Sequence, residues 1–159
     1  MPHQVLLSPD KNYLYVCDLG SDTIWKHELS GLSLDCSTAL KVPGGYGPRH
    51  LAFDTHGHHV FILCELVPQL LVSKINRETG DLSIIQDLPT VEPSFKDITA
   101  PAAVKVHPTG NSLVVSNRFN DTLTVFRIIR DKESLHLEEV DNFTTRGKTP
   151  RDIAFSPSG

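Results

Sequence analysis

The chain has 159 residues, a formal net charge of −4 at neutral pH and a hydrophobic fraction of 39%. This composition is ordinary for a globular domain with a sizeable core, and the acidic balance argues against nucleic acid or an anionic membrane as a partner. No apolar run approaches the roughly 18–20 residues that span a bilayer, and the first residues lack the segments of a signal peptide. The three cysteines form no CxxC pair, so we interpret them as reduced thiols of a cytoplasmic protein.

One short pattern occurs four times along the chain. Each copy begins with a proline, continues as a short apolar strand and ends in a polar turn, and the copies start at Pro2, Pro48, Pro101 and Pro150. The spacings between these prolines are 46, 53 and 49 residues. They lie near the roughly 40–50 residues of a propeller blade, so the repeat predicts a β-propeller.

The remaining strands follow each copy in chain order. After Pro2 we predict Leu14–Val16 and Thr23–His27. The second blade is predicted to contain Leu51–Phe53, Val60–Leu63, Leu70–Ile75 and Leu82–Asp87, and the third to contain Leu113–Val115 and Thr122–Ile128. No long segment has the i, i+3, i+4, i+7 spacing of a helix. The prediction is an all-β fold of four-stranded antiparallel blades; the alternative, a β-sandwich, would not repeat four times.

The predicted domain organisation is a single partial propeller over residues 1–159. Its blades are expected at 1–47, 48–100 and 101–149, followed by the first strand of a further blade at 150–159. A seven-bladed propeller of this period needs roughly 340 residues, so the sequence is expected to belong to a larger propeller. Missing blades, or a second copy of the chain, would cover the exposed blade edge. We therefore expect the isolated chain to associate.

Positions at which the copies differ in polarity are candidates for function. The residues that enter the first strand of a blade and leave its second strand lie at the same end of the channel, because the two strands are antiparallel. One rim is therefore expected to gather His3, Arg49, His50, Glu65, Asn117, Arg118, Arg151 and Asp152. Arginine suits recognition of carboxylate or phosphate. In the alternative interpretation, the arginines only pair with nearby carboxylates and close the rim.

Three other features suggest chemistry less strongly. His56, His58 and His59 are close in sequence and suggest a metal, but a solvated turn is the preferred interpretation. Cys17 and Cys64 occupy equivalent strand ends, and we interpret them as packing residues. The segment 44–47 (GGYG) lacks the GK[ST] ending of a phosphate loop, so we expect it to let the outer strand cross back to the channel.

Five motifs in register resemble those of the lactonase-type propellers, the family of 6-phosphogluconolactonase and of the fungal carboxy-cis,cis-muconate cyclase. They are the PHQV of residues 2–5 with the SPDKNYLYVCDLGSD of 8–22, the GPRHLAF of 47–53, the CEL of 64–66, the VSNR of 115–118 and the PRDI of 150–153. In this chain Cys64 stands where the family motif has Asn, Gln4 where it has His, and Lys11 where it has Gly.

The resemblance implies a seven-bladed parent with a site at one end of its channel. By motif, the implied catalytic set falls on His3, Arg49, Glu65 and Arg118. We assign His50, Asn117, Arg151 and Asp152 to substrate binding, and we expect no cofactor and no metal. The implied activity is hydrolysis of a small anionic sugar lactone, foremost 6-phosphogluconolactone of the pentose phosphate pathway. A cyclase-like lactonising enzyme and a non-catalytic binding platform are the alternatives.

Elementary chemistry distributes the roles within the implied set. Arginine stays protonated and cannot be a base, so Arg49 and Arg118 are expected to stabilise negative charge on the carbonyl oxygen or to bind an acidic group. A carboxylate beside arginines should have a lowered pKa. We therefore expect His3 to be the base and Glu65 to orient it.

Overall fold

The computed structural model describes residues 1–29, 35–132, 134–156 and 159. In these residues it contains twelve β-strands, one short 3-10 helix at Leu19–Ser21 and no α-helix. The strands form three four-stranded antiparallel sheets, each built from four strands consecutive in sequence. Among the described residues, no helix is long and apolar enough to cross a membrane.

Each sheet is one blade. The first contains β1 (Pro2–Leu7), β2 (Tyr13–Asp18), β3 (Thr23–Glu28) and β4 (Cys36–Lys41). The second contains β5 (Pro48–Phe53), β6 (His59–Cys64), β7 (Gln69–Ile75) and β8 (Leu82–Pro89). The third contains β9 (Ala100–Val106), β10 (Ser112–Arg118), β11 (Thr122–Asp131) and β12 (Ser134–Thr144). The predicted all-β architecture of antiparallel blades is confirmed.

The position of the middle blade between its two neighbours explains why the sequence of β6 is almost entirely apolar. All six residues of β6 are buried, because blades one and three cover its two faces. Val60 and Ile62 belong to the apolar cluster shared with blade one, whereas Phe61 and Leu63 belong to the cluster shared with blade three. Successive side chains of a strand point to opposite faces, so a strand packed on both sides has no polar position.

Polar contacts also connect neighbouring blades. The hydroxyl groups of Tyr13 and Tyr15 donate to the carbonyl oxygens of Glu78 and Gly80, each at 2.8 Å. Gln86 holds the backbone of Leu137 on both sides: its Nε2 donates to the Leu137 oxygen at 3.0 Å and its Oε1 accepts the Leu137 amide at 2.8 Å. The blades are thus held in register by directional bonds as well as by apolar packing.

The segment after Pro150 differs from the predicted strand. Residues 150–156 lie outside the three sheets and carry no strand hydrogen bonding, since no further strand pairs with them. The segment still contacts the inner strand of blade three: Lys105 Nζ lies 3.7 Å from Asp152 Oδ1, and the rings of His107 and Phe155 meet edge to face at 5.0 Å.

Candidate active site

One carboxylate joins side chains from three blades. Glu65 follows β6, and its Oε1 accepts a hydrogen bond of 2.6 Å from Nη2 of Arg118, at the end of β10. Its Oε2 lies 2.8 Å from Nε of Arg49, on β5, and 3.5 Å from Nε2 of His3, on β1. The structure therefore brings together all four residues of the implied catalytic set.

Backbone carbonyl groups of blade three fix the two arginines. Arg118 Nε donates to the Ala100 oxygen at 3.0 Å, and Arg49 Nη1 donates to the Ala102 oxygen. Both side chains are nearly buried, with 10% and 8% of their surface exposed. Among the described residues, Arg49 Nη2 and Arg118 Nη1 have no hydrogen-bond partner. Each guanidinium group is therefore anchored and keeps one terminal nitrogen for a ligand.

A β-bulge occurs at the start of the inner strand of every blade. In β1 the bulged residue is His3, which lies between the pairs Pro2–Asp18 and Gln4–Cys17. In β5 it is Arg49, and in β9 the extra residue falls at Ala102 or Ala103. A bulge sets two consecutive residues against one partner and redirects their side chains. The repeated bulge thus presents the residue after the motif's proline at the channel end in the first two blades, where it is His3 or Arg49, whereas the bulge of the third blade carries alanine.

The electrostatics of Glu65 and His50 follow from this packing. Burial would raise the pKa of Glu65, but the hydrogen bond from Arg118 and the charges of Arg118, Arg49 and His3 lower it overall. Burial, together with the charges of Arg49 and Lys105, lowers the pKa of His50 to about 4. His50 is therefore neutral at pH 7, and its Nε2 accepts a bond of 2.8 Å from Arg49 Nη1.

Asp22, which lies immediately before β3, organises the segment that leads to Arg49. Its carboxylate accepts the amides of Gly45 and Gly47, each at 2.8 Å. Gly47 in turn accepts the Glu65 amide at 2.8 Å through its carbonyl oxygen. Asp22 thus supports both Arg49 and Glu65 through the backbone, and the amides of Gly45, Tyr46 and Gly47 are already occupied. Sequence reasoning overlooked it, although Asp121 occupies the same place before β11.

The same turn differs among the three blades. The backbone oxygens of Asp22, Pro68 and Asp121 each accept an amide from the residue after the outer strand, at 3.0, 2.8 and 2.9 Å. Asp121 also accepts the amide of Thr149 through its side chain, at 2.7 Å. Pro68 has no side-chain acceptor, so the second blade keeps the backbone bond without the carboxylate clamp.

The remaining predicted site residues differ in how deeply they are buried. Arg151 and Asp152 are exposed, and the charge of Arg151 is close enough to contribute to a lowered pKa of Arg49, whose first cause is burial. Asn117 is fully buried, and its Nδ2 donates to Thr90 O, Thr122 Oγ1 and Thr124 Oγ1 at 2.9, 3.2 and 2.9 Å. The structure therefore does not bring Asn117 to the cluster, because its side chain is enclosed within blade three.

Two of the weaker sequence features are now located. Cys64 is fully buried in the apolar cluster between blades one and two, and burial raises the pKa of its thiol to about 12. This agrees with a packing role. The histidine turn is only partly solvated, because His59 begins β6 and is 7% exposed, whereas His56 and His58 are exposed. Among the described residues, no group of three His, Cys, Asp or Glu could hold a metal ion.

Comparison with known proteins agrees with this architecture. The chain is 29% identical to a 6-phosphogluconolactonase of Bacillus subtilis over 98% of its own length, and 31% identical to one of Formosa agariphila over 99%. It spans 44% and 45% of those relatives, which is less than half of their length. The structure of the periplasmic gluconolactonase PpgL of Pseudomonas aeruginosa aligns with a TM-score of 0.89 at 30% identity, covering 99% of this chain and 45% of that one.

A protein of Lactobacillus plantarum aligns equally well, with a TM-score of 0.89 at 32% identity, over 99% of this chain and 45% of that chain. The family described as lactonase, 7-bladed beta-propeller, matches residues 1–159, the whole of the sequence. With its repeated antiparallel blades and its motifs in register, the chain belongs to the seven-bladed β-propeller lactonase family.

Proposed function

We propose that the protein hydrolyses a sugar lactone and that its substrate is 6-phosphogluconolactone. Relatives named 6-phosphogluconolactonase or gluconolactonase support this class of reaction. The observation that carries the proposal is the position of Glu65 between Arg49 and Arg118, which come from two blades and meet at one end of the channel.

The arginines supply the electrostatic part of the proposed mechanism. Attack on a lactone carbonyl places negative charge on its oxygen, and a preorganised donor in such a site contributes about 3 kcal/mol to catalysis. Arg49 Nη2 and Arg118 Nη1 are the available donors. Their other nitrogens are held by Glu65 and by carbonyl oxygens, so the groups need no reorganisation when the charge develops.

His3 supplies the proton transfer in this proposal. With a proton on Nε2 directed at Glu65 Oε2, 3.5 Å away, its Nδ1 is the free base that takes a proton from the attacking water. The tetrahedral intermediate then collapses, the ring C–O bond breaks, and the protonated His3 returns the proton to the leaving alkoxide. Glu65 remains ionised throughout and orients the imidazole, as its lowered pKa requires.

We assign recognition of the substrate's anionic group to the exposed Arg151, with the neutral His50 as a second polar group of the same rim. Arg151 follows Pro150 in the same motif position that Arg49 follows Pro48. A guanidinium group at this rim would bind a phosphate by paired hydrogen bonds. The reaction would then belong to the pentose phosphate pathway, and the unpaired cysteines support a cytoplasmic location.

The kinetic test uses the complete gene product. Lactone loss is measured with Glu65→Gln and Arg118→Ala, after subtraction of spontaneous hydrolysis, and we expect kcat/KM to fall at least 100-fold in each. Arg127→Ala, which removes an exposed arginine of β11, is the matched control and should retain full activity. Full activity in both site variants would contradict the proposed function.

The substrate assignment has a separate test. Arg151→Gln should raise KM for 6-phosphogluconolactone about tenfold and leave KM for unphosphorylated gluconolactone unchanged. An equal effect on both lactones would show that Arg151 does not recognise the phosphate, without affecting the assignment of the reaction.

A further inference from the structure

The β5–β6 hairpin carries a second basic cluster at the end opposite to Glu65. Asp54 follows β5, His59 begins β6, and Arg130 and Lys132 approach from the β11–β12 hairpin of blade three. These residues line a pocket of about 200 Å³. At roughly 30 Å³ per water, this is room for about six water-sized groups. The pocket thus lies between two blades and is separate from the candidate active site.

Two side chains in this pocket, His59 and Arg130, have buried hydrogen-bonding atoms without a hydrogen-bond partner among the described residues. The side chain of His59 is 9% exposed, and neither ring nitrogen has a hydrogen-bond partner among the described residues. Arg130 Nη1 donates to the Gly110 oxygen at 2.7 Å, but its buried Nε and Nη2 make no hydrogen bond there. Buried polar groups in folded proteins are nearly always paired. Apart from long ion-pair contacts of Arg130 Nη2 and His59 Nδ1 with Asp54 Oδ2, at 3.6 and 4.0 Å, these atoms have no partner among the described residues. They therefore indicate a ligand that supplies closer acceptors.

The charge of the pocket selects the sign of that ligand. A neighbouring pocket of about 360 Å³ shares His58, His59 and Lys132 with the first and adds Lys74 and Arg77. Among the described residues that line the two pockets, Asp54 is the one carboxylate. Its Oδ1 already accepts the amides of His58 and His59, at 2.9 and 2.8 Å. The region is therefore electropositive on a chain whose net charge is −4.

A metal ion fits this arrangement poorly. Asp54 Oδ2 lies 3.7 Å from His56 Nδ1 and 4.0 Å from His59 Nδ1, but Arg130 Nη2 is 3.6 Å from the same oxygen. A cation bound there would be repelled by the guanidinium group. A compact oxyanion would instead accept hydrogen bonds from Arg130, His59 and Lys132, and guanidinium donors match the geometry of phosphate.

We propose that the pocket formed by His59, Arg130 and Lys132 binds a phosphate group, either as free phosphate or as a phosphomonoester. It is a second anion site, at the opposite end of the hairpin from Arg49 and Glu65. It is independent of the reaction proposed above, because it shares no side chain with that site.

Isothermal titration calorimetry of the complete gene product tests this site. Inorganic phosphate and glycerol 3-phosphate are titrated separately, with sodium chloride at matched ionic strength as the blank. Phosphate bound at the candidate active site would give a separate event; we expect the event of this pocket to be lost in His59→Phe and at least fivefold weaker in Lys132→Gln. Lys132 is exposed, so this second variant should fold even if His59→Phe does not.

Two control variants test whether binding requires this pocket or only a positively charged side chain elsewhere. Lys41→Gln removes an exposed lysine at the end of β4, and Arg118→Gln removes a donor of the candidate active site. Both should leave this binding event unchanged. Tighter binding of glycerol 3-phosphate than of phosphate would identify a phosphomonoester as the ligand, and the reverse would identify the free ion. The proposal is overturned if neither probe binds, if the loss follows Arg118→Gln but not Lys132→Gln, or if Zn²⁺ binds in place of both.

Discussion

Glu65 supplies a negative charge in surroundings that are otherwise positively charged or buried. Its two oxygens face Arg118, Arg49 and His3, and 20% of its side chain remains exposed. Burial alone would raise the pKa of the carboxyl group, yet the neighbouring charges lower it. The carboxylate is therefore ionised at neutral pH and neutralises part of the charge of two nearly buried guanidinium groups.

This ionisation predicts a pH-dependent contribution to stability. A group whose pKa is lower in the folded protein stabilises it fully above the unfolded pKa, about 4.3 for Glu, and loses that contribution as the pH falls through the folded value. Glu65→Gln should therefore reduce the free energy of unfolding by about 2–4 kcal/mol at pH 7, with a smaller deficit below about pH 4.

Urea unfolding at several pH values measures this deficit. Glu138→Gln is the matched control, since Glu138 is exposed on β12 and lies 3.8 Å from an exposed histidine. It should cost less than about 0.5 kcal/mol at any pH. A deficit for Glu65→Gln that does not change between pH 7 and pH 2 would show that the carboxylate does not act through its charge.

The three thiols should differ in reactivity. Cys17 and Cys64 are fully buried, and burial raises the pKa of both, to about 12 for Cys64. Cys36 is exposed at the start of β4. We expect a thiol reagent at pH 8 to label one cysteine per native chain quickly and three after denaturation. Cys36→Ser should abolish the fast phase; fast labelling that persists in this variant would contradict the packing role of the other two.

The sequence identified the four clustered residues but misplaced Asn117, for a reason of strand geometry. Arg118 and Asn117 are neighbours on a regular strand, so their side chains point to opposite faces, and only Arg118 reaches Glu65. Arg49 and His50 are also neighbours, yet a bulge lets them meet, with Arg49 Nη1 2.8 Å from His50 Nε2. Bulges leave no clear mark in a single sequence, so the two cases could not be distinguished before the structure.

Among the connecting elements, the crossing from β4 to β5 is constrained by backbone conformation at Gly47. Gly47 has a φ of +61°, and a Cβ atom on it would lie 2.5 Å from Leu66 Cγ. Gly44, three residues earlier, has nothing within 4 Å of such an atom. Gly47, which supports the Glu65 amide, therefore requires glycine both for its φ and for the close contact, whereas Gly44 has room for a side chain.

Paired alanine substitutions test this constraint. Gly47→Ala should destabilise the protein by about 2 kcal/mol, through left-handed strain and the contact with Leu66, and should reduce activity because Glu65 is displaced. Gly44→Ala should be close to neutral in thermal unfolding. Equal stability of the two variants would contradict the described conformation of the crossing.

The inner strands were easier to predict than the outer ones. Every strand predicted in the first three blades lies inside an observed strand, because the apolar runs of β5, β6 and β10 are covered on both faces. The strand predicted after Pro150 is not formed among the described residues. The outer strands β4 and β12 were not located in the sequence. The residues of β4 and β12 are mostly exposed, and within β12 only Leu135 and Leu137 are buried apolar side chains. The two strands therefore show little alternation of apolar and polar residues in the sequence.

At the level of the whole molecule, the three blades have the same strand arrangement but differ in how much of their surface is buried by neighbouring blades. The middle blade is enclosed by its neighbours, whereas β1 exposes Val5 and Leu7, at 56% and 43%. The repeat period and the resemblance were enough to predict the propeller. The side-chain and backbone bonds between blades were not predictable, because their partners lie about 50 or more residues apart and have no common spacing.

Exposed apolar side chains on β1 support the expected association of the isolated chain. Contiguous apolar surface outside a binding site favours contact between molecules. Light scattering of the 159-residue chain should show a mass above 17.6 kDa that increases with concentration. Val5→Thr combined with Leu7→Thr should reduce this mass. A monodisperse monomer at all concentrations would contradict the expectation.

The carboxylate clamp of Asp22 and Asp121 has a consequence for motion between blades. An amide hydrogen held by a buried or partly buried acceptor exchanges with solvent only when the local structure opens. The amides of Gly45, Gly47 and Thr149 should therefore exchange slowly, although they lie in surface crossings. Asp22→Ala should accelerate the first two at least tenfold and leave Thr149 as its internal reference. The crossing that follows β8 has Pro68 in place of the aspartate and is held differently, since the buried Thr90 accepts bonds from Asn117 and Thr124 through its carbonyl oxygen. Its exchange should therefore be unchanged in Asp22→Ala, so each crossing is expected to open through its own set of contacts.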